Sequence, residues 1–345
     1  MICNTQHSNF LTQMSFSSII FLLLMILTLP LFSQTKKIQV HDPVMIKQAD
    51  SYYLFCTGMG ISMWSSKDMV QWNRKKPVFD KAPAWALEAI PGYKGHTWAP
   101  DISFHNGQYY LYYSVSAFGK NTSCIGVATN KTLDPQSPDY LWVDHGKVIQ
   151  SVPGRDMWNA IDPNLIMDDS GTPWLVFGSF WNGMKLVKLD QSLIKVAEPQ
   201  EWHTVAARPR DYYTDETNAG EGSIEAPFLF KKGKYYYLFV SFDFCCRGLK
   251  SNYKVMVGRS ESITGLYVDK NGSRMIHGGG SPVLSGNKDW PGVGHNAVYT
   301  FDNQDYIIYH GYDAKDEGKS KLLINKLNWD EEGWPIVKQS IIDTK

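Results

Sequence analysis

This chain of 345 residues lacks a net charge, because 34 basic side chains balance 34 acidic ones. The balance excludes a broad basic field for nucleic acid and an acidic interaction tail. Cysteine is scarce, with 5 residues in the whole chain, which excludes a disulfide scaffold like those of small secreted domains. A glycine-rich phosphate loop after a strand is also absent, and we interpret residues 278–280 as a turn, so no nucleotide cofactor is expected.

Long apolar runs are confined to residues 18–32, which read SIIFLLLMILTLPLF. This run is shorter than the roughly 20 residues of a membrane-spanning helix, and a polar stretch follows it. It predicts a secretory signal peptide over residues 1–33 and a secreted or periplasmic bacterial protein with no stable membrane association after cleavage. Residues 1–17 contain no lysine or arginine, which is unusual for a signal, so an uncleaved membrane anchor is the alternative.

Aromatic residues are abundant, at 14% of the chain, and many lie in a pattern that recurs along the sequence. Each copy has a short apolar strand, a polar turn and an aromatic strand, and the copies begin at residues 42, 99, 162, 225 and 295. Most copies continue into a third strand. A fourth strand is expected to begin near an aromatic residue in each copy: Trp72, Trp142, Trp202, Tyr267 and Trp334.

Repeated antiparallel units of four strands, without a long apolar period of 3.6 residues, predict an all-β fold with few and short helices. Five such units predict a five-bladed β-propeller with four antiparallel strands per blade, in one domain over residues 38–345. A β-sandwich with the same number of strands is the alternative, which the matched copies disfavour.

Acidic residues occupy matched positions in these repeats. Twelve residues before the aligned aliphatic residue of each aromatic strand lie Asp42, Ala99, Pro163, Ala226 and His295. In the third and fourth copies the preceding residue is an acid, Asp162 or Glu225. The first strand of a propeller blade is innermost, so Asp42, Asp162, Glu225 and His295 are predicted to form one cluster at a mouth of the central channel.

Carboxylates in such a cluster are costly to bury without a partner or a task. Neighbouring carboxylates raise one another's pKa, so that one stays protonated near neutral pH. A protonated acid that faces an ionised base can cleave a glycosidic bond. A turn or capping role before proline is the alternative for any single acid, but three acids at matched positions favour a catalytic cluster.

Several motifs of the chain resemble those of glycoside hydrolase family 43, and in particular of its endo-1,5-α-L-arabinanases. The resemblance covers nearly all of the chain after the predicted signal. Its strongest blocks are His41–Pro43, Thr97–Asp101, Trp158–Pro163, Gly178–Gly183, Ser223–Pro227, Cys245–Gly248 and Gly294–Asn296.

The resemblance implies a monomeric enzyme that hydrolyses α-1,5-linked L-arabinofuranosyl chains of plant arabinan with inversion. It implies Asp42 as the general base, Glu225 as the general acid and Asp162 as the residue that orients the acid and tunes its pKa. It also implies a calcium ion near the channel axis, held through water and by His295. The spacing itself gives no metal signal, and a channel histidine with protein partners is the alternative for His295.

Other residues are candidates for contact with sugar or for separate chemistry. Trp98 and Phe118 are predicted to pack against sugar rings, with a core position as the alternative, and Asn182 is predicted to contact a hydroxyl. Cys245 and Cys246 suggest a metal or redox site, but two half-buried residues at a strand edge are the favoured interpretation.

Three functions are compatible with these predictions. The first is an endo-arabinanase. The second is an exo-acting α-L-arabinofuranosidase or a β-xylosidase on the same propeller, which the short C-terminal tail disfavours. The third is a carbohydrate-binding propeller without catalysis, which the complete set of three carboxylates disfavours.

Overall fold

The computed structural model describes residues 1–2 and 37–338. The predicted signal peptide therefore lies outside the described residues except for its first two positions. Among the described residues, none of the helices has both the length and the apolar character needed to cross a membrane.

The described chain is an all-β, five-bladed propeller, as the repeats predict. The first blade contains β1 (Val44–Gln48), β2 (Ser51–Cys56), β4 (Ser62–Ser66) and β5 (Asn73–Arg74). The second contains β6 (His96–His105), β7 (Gln108–Ser116), β8 (Ser123–Asn130) and β9 (Val143–Ser151), and the short β3 (Gly58–Met59) pairs with β6 at its edge.

The remaining blades repeat the same antiparallel order. The third contains β10 (Asn164–Met167), β11 (Pro173–Phe177), β12 (Met184–Lys188) and β13 (Trp202–Ala206). The fourth contains β14 (Ile224–Lys232), β15 (Tyr235–Phe242), β16 (Lys254–Ser260) and β17 (Ser281–Leu284). The fifth contains β18 (Val293–Phe301), β19 (Gln304–Asp313), β20 (Lys319–Trp329) and β21 (Pro335–Ile336).

Two-residue hairpin turns connect the first two strands of every blade except the third. Asn106 and Gly107 join β6 to β7 with φ angles of 50° and 80°, and Asp302 and Asn303 join β18 to β19 with 49° and 63°. Two consecutive residues with positive φ form the type I′ turn, whose twist matches that of antiparallel strands. These turns lie where the sequence predicts them.

Apolar side chains between neighbouring blades form the core, and the same packing closes the ring. Met45 and Leu54 of the first blade are fully buried against Ile308 and Leu322 of the fifth. The Leu322 N–H also donates to the Ile38 carbonyl at 3.0 Å, which joins the start of the described chain to β20. The inner strands therefore meet around one axis, and their starts are brought together there.

The prediction of few helices is confirmed for the described residues, which contain one α-helix, α1 (Ala84–Ala89), and three short 3-10 turns. The fourth strand predicted near Tyr267 is wrong, because the strand that pairs with β16 begins at Ser281. Tyr267 is instead buried in a connection, where the next residue, Val268, forms isolated bridges to Arg259 and Arg274.

Candidate active site

One residue near the start of each inner strand has a left-handed backbone. The φ angles are 53° at Asp42, 39° at Ala99, 58° at Asp162, 54° at Ala226 and 50° at His295. Positive φ is uncommon for residues other than glycine, and such strain is concentrated at functional sites. Asp162 is therefore the true equivalent of Asp42, one residue before the position that the repeat alignment predicts.

Side chains of the preceding blade hold most of these strained residues through their backbone N–H groups. The acceptors are His310 Nδ1 for Asp42 at 3.2 Å, Thr57 Oγ1 for Ala99 at 2.8 Å, Ser114 Oγ for Asp162 at 3.0 Å and Ser241 Oγ for His295 at 2.9 Å. All four acceptors lie three residues after the aligned aliphatic residue. This shared offset could have revealed them in the sequence.

The third blade departs from this rule. Gly178 occupies the acceptor position and has no side chain. The Ala226 N–H donates instead to Oδ2 of Asp162 at 3.0 Å. Asp162 therefore connects the third blade to the backbone of the residue that follows Glu225.

A cavity of about 1260 Å³ lies where the inner strands begin. The four side chains that the repeats predict to converge, Asp42, Asp162, Glu225 and His295, all line it. Three blades thus contribute one carboxylate each and the fifth contributes an imidazole.

Asp42 lies in a cationic environment. Its Oδ1 is 2.7 Å from His41 Nδ1 and 3.0 Å from His295 Nδ1, and its Oδ2 accepts a hydrogen bond from the Thr57 hydroxyl at 2.5 Å. Burial opposes ionisation, but the charges and hydrogen bonds of His295 and His41 outweigh it and hold the pKa of Asp42 well below its ordinary value. Asp42 is therefore an ionised carboxylate at neutral pH.

Asp162 and Glu225 lie in the opposite electrostatic environment. Burial raises the pKa of Asp162, and the charges of Glu225 and Asp42 raise it further against the opposing effect of His295. Burial also raises the pKa of Glu225, although the Ser179 hydroxyl donates to its Oε2 at 2.8 Å. Interacting acids titrate as a pair, so these two carboxyl groups retain a proton at a higher pH than an isolated acid would.

His295 carries the positive charge that the three carboxylates share. Burial lowers its pKa, but the negative charges of Asp42 and Asp162 outweigh burial and raise the pKa to about 9. The imidazole is therefore protonated at neutral pH in this set of residues.

Of the three residues predicted to contact sugar, the two aromatic ones lie at the cavity and Asn182 does not. Trp98 is half-buried and Phe118 is 80% exposed, and both line the cavity. Asn182 is exposed and does not line it, and its backbone N–H donates to Met157 O at 3.0 Å. The structure therefore brings all the predicted site residues except Asn182 to the cavity.

Cys245 and Cys246 also line the cavity, and they form a disulfide between adjacent residues. The prediction of two residues at a strand edge is wrong, because β15 ends at Phe242 and both cysteines lie in the following loop. The Cys246 N–H donates to the Tyr312 hydroxyl at 2.6 Å, and that hydroxyl lies 3.0 Å from His41 Nε2. The loop is thus connected to the histidine that contacts Asp42.

A cation at His295 is compatible with the residues around it only if water supplies most of its ligands. Nδ1 of His295 is already engaged with Asp42, and Nε2 could bind an ion directly only after the imidazolium has lost its proton there. Within the described part of the chain, no group of three mutually close ligand atoms includes His295. Calcium prefers oxygen ligands, so an ion at this position would be largely hydrated.

Comparison with known proteins identifies the family. The model of the family described as "Glycosyl hydrolases family 43" matches residues 35–335. The chain belongs to glycoside hydrolase family 43. An extracellular exo-α-(1→5)-L-arabinofuranosidase of Cellvibrio japonicus is 54% identical over 309 residues, which cover 90% of this chain and 89% of the relative. An extracellular endo-α-(1→5)-L-arabinanase of Bacillus subtilis is 45% identical and covers 86% of this chain and 87% of its own length.

Solved structures of this family have the same fold. The α-L-arabinanase of Cellvibrio cellulosa in complex with arabinohexaose superposes with a TM-score of 0.87 at 54% identity, covering 88% of this chain and 96% of that one. An exo-1,5-α-L-arabinanase from a bovine ruminal metagenomic library superposes with a TM-score of 0.83 at 51% identity, covering 89% and 99%. The family 43 propeller therefore extends through nearly all of the described chain.

Proposed function

We propose that this family 43 protein is an inverting glycoside hydrolase that cleaves α-1,5-linked L-arabinofuranosyl chains of arabinan. The observation that carries the proposal is the convergence of Asp42, Asp162 and Glu225 on one cavity. Their surroundings lower the pKa of Asp42 and raise those of Asp162 and Glu225. Cleavage with inversion requires an ionised base and a protonated acid at the same time. The names of the similar proteins support arabinan as the substrate.

Each carboxyl group has a proposed role in the reaction. Asp42 accepts a proton from the water that attacks the anomeric carbon, since it is ionised and faces two imidazoles. Glu225 donates a proton to the leaving oxygen. Asp162 orients Glu225 through the Ala226 N–H and shares the retained proton with it. Charge that develops on the sugar in the transition state is thus balanced within a preorganised set of groups.

Trp98 and Phe118 are proposed to pack against the apolar faces of sugar rings. Both line the cavity with exposed ring surface, and an aromatic face combines well with C–H groups. Asn182 has weaker support, because it lies outside the cavity.

Cleavage from a chain end is the mode that the comparisons favour, since the relatives at 54% and 51% identity have exo-acting names. Endo cleavage is the second candidate, because the relative at 45% is named an endo-arabinanase. The extracellular names of both curated relatives support secretion, with residues 1–33 as the proposed signal. A calcium ion held mainly through water beside His295 is also proposed. Direct binding to His295 Nε2 would require that nitrogen to release its proton, so the ion would then replace the imidazolium as the positive charge beside the carboxylates.

The products formed from linear arabinan test these proposals together. Exo cleavage predicts a single small product from the first minutes, endo cleavage predicts a mixture of oligosaccharide lengths, and inversion predicts that the first product has the β-anomeric configuration by NMR. Dialysis against a chelator is expected to lower the rate, and added calcium to restore it. No release of reducing ends would contradict the hydrolase, and an α-anomeric first product would contradict inversion.

A further inference from the structure

We propose that Thr57 is a positioning residue for the general base and that it selects which oxygen of Asp42 takes the proton from water. The inference rests on the proposed function, in which Asp42 is the base. Thr57 lies at the end of the aromatic strand of the first blade and lines the cavity. Neither the repeat analysis nor the family resemblance assigns it a role.

The direction of the hydrogen bond from Thr57 to Asp42 is fixed by a second bond to the same hydroxyl. The Ala99 N–H is only a donor, and it points at Thr57 Oγ1 from 2.8 Å. A hydroxyl has one proton to donate, and here it lies 2.5 Å from Oδ2 of Asp42. The chain of donors therefore runs from Ala99 N–H through the Thr57 hydroxyl to Asp42 Oδ2.

The lone pairs of Asp42 then identify the basic atom. Oδ1 lies within hydrogen-bond distance of two Nδ1 atoms, those of His41 and His295, and an ionised carboxylate can only accept. Both lone pairs of Oδ1 are thereby used. Oδ2 uses one lone pair for Thr57, so its second lone pair is the one available for the attacking water.

Thr57 is also held rigidly, as a positioning residue must be. Its own N–H donates to the carbonyl of His41, the residue before Asp42, at 3.0 Å. Its β-branched side chain has few rotamers. The carboxylate plane of Asp42 is thus fixed against the backbones of two blades.

Comparison with equivalent residues separates this role from the architecture of the ring. Ser114 and Ser241 occupy the same repeat position and accept the N–H of the next blade in the same way. Within the described residues, neither of these hydroxyls has a hydrogen bond to a carboxylate side chain, whereas that of Thr57 does. The donation to Asp42 is therefore additional to the structural task that the three residues share.

The first test compares Thr57→Val with Thr57→Ser. Valine keeps the shape but removes the hydroxyl, which is both the donor to Asp42 and the acceptor of the Ala99 N–H. A hydrogen bond to a charged group contributes enough for a loss of roughly 10- to 100-fold in kcat, with KM changed less than about twofold. Serine keeps the donor and is expected to stay within about threefold of wild type. Equal loss in both variants, or a kcat of Thr57→Val within twofold of wild type, would overturn the proposal.

The second test uses a nitrophenyl glycoside of a short α-1,5-arabino-oligosaccharide. A nitrophenolate leaves without help from an acid but still requires an activated water. The defect of Thr57→Val is therefore expected to persist on this substrate, whereas the defect of the control Ser179→Ala, whose hydroxyl contacts Glu225, is expected to shrink. If the loss in Thr57→Val shrinks as well, Thr57 does not act through the base.

The folding of each variant is checked by thermal unfolding, and Thr57→Ala replaces Thr57→Val if valine prevents folding. The double variant that combines Asp42→Asn with the Thr57 substitution is expected to have the same kcat as Asp42→Asn alone. An additional loss of kcat in the double variant would count against the proposal. Full activity of Asp42→Asn would refute the proposed function itself. Activity that depends on Asp42 but not on Thr57 would refute this inference alone.

Discussion

Asp42 and Asp162 are each 6% exposed in the same cavity, yet the pKa of Asp42 is lowered and that of Asp162 is raised. Equal burial cannot explain opposite shifts. The difference lies in the neighbours: Asp42 has the imidazoles of His41 and His295 within hydrogen-bond distance of Oδ1. Asp162 has Glu225 as a like-charged neighbour, and the charge of His295 and the hydrogen bond from the Ala226 N–H do not outweigh its burial.

The arrangement of the blades produces this difference. His41 precedes Asp42 in the sequence, and His295 comes from the fifth blade, which is next to the first in the closed ring. The third and fourth blades contribute acids at matched or adjacent positions and no imidazole to this cluster. The first and fifth blades therefore supply an ionised base, and the third and fourth blades supply two acids whose raised pKa values let them retain a proton.

Removal of the proposed general acid, Glu225, should have the largest effect on activity. Glu225→Ala deletes the proposed proton donor, and loss of general acid catalysis predicts a fall in kcat on arabinan of roughly 10³-fold. The thermal unfolding temperature should stay close to that of wild type, because loss of the hydrogen bond from Ser179 is offset by removal of a carboxyl group that is costly to bury. The matched control is Glu221→Ala, which removes an exposed carboxylate from the preceding loop. Full activity of Glu225→Ala would remove Glu225 from the acid role.

Removal of the positive charge of His295 should shift the pH dependence of activity. His295→Gln deletes a cation that lowers the pKa of Asp42, Asp162 and Glu225, so all three values should rise. The acid limb of kcat/KM reports the base and the alkaline limb reports the acid, so both limbs should move to higher pH by about 1 unit or more. The activity below neutral pH should fall roughly 10-fold as a result.

The control for this profile is His203→Gln, which changes a histidine on the outer strand β13 that pairs with Glu201. Its profile should match that of wild type. An unchanged profile in His295→Gln, or limbs that move in opposite directions, would contradict a shared cation.

The repeat period was sufficient to predict the fold and the convergence of the acids, because the period fixes how many blades form and where each inner strand begins. The position of Asp162 was predicted one residue away from its true equivalent. The hairpin between β10 and β11 explains this, because its connection over residues 168–172 is longer than the two-residue turns of the other blades. Alignment of the repeats on the aromatic strand does not allow for this longer turn. The fixed count back from that strand therefore ends one residue after Asp162.

Individual side-chain contacts at the mouth of the channel could not be predicted from the sequence. The bond from Thr57 to Asp42 joins residues whose distance depends on the left-handed backbone at Asp42, and the disulfide at Cys245 depends on where β15 ends. The charge states of Asp42 and Asp162 could not be predicted either, because they depend on which side chains other blades place beside these acids, such as His295 beside Asp42 and Glu225 beside Asp162.

Asp101 extends the comparison to a carboxylate that has hydrogen-bond donors but, among residues 37–338, no cation that shifts its pKa. It is 2% exposed and accepts from Asn164 Nδ2 at 3.1 Å and from Leu165 N–H at 2.8 Å. Burial outweighs these bonds and raises its pKa from 3.8 to about 6. The unfolded chain therefore releases this proton at a lower pH than the folded protein does, so this group makes stability fall as pH rises through that window and has no further effect above it.

Asp101→Asn should remove this pH dependence, because an amide cannot ionise and its oxygen can still accept from Leu165. Relative to wild type, its free energy of unfolding should improve by up to roughly 2–3 kcal/mol between pH 3.5 and pH 7.5, the equivalent of a two-unit shift in pKa. Urea unfolding of both proteins at the two pH values measures the change, and other titrations cancel in the difference. The exposed Asp139→Asn should show no such change. If Asp101→Asn shows none either, donors without a cation are sufficient to keep a buried carboxylate ionised in this propeller, and the contrast between Asp42 and Asp162 would then require a cause other than His41 and His295.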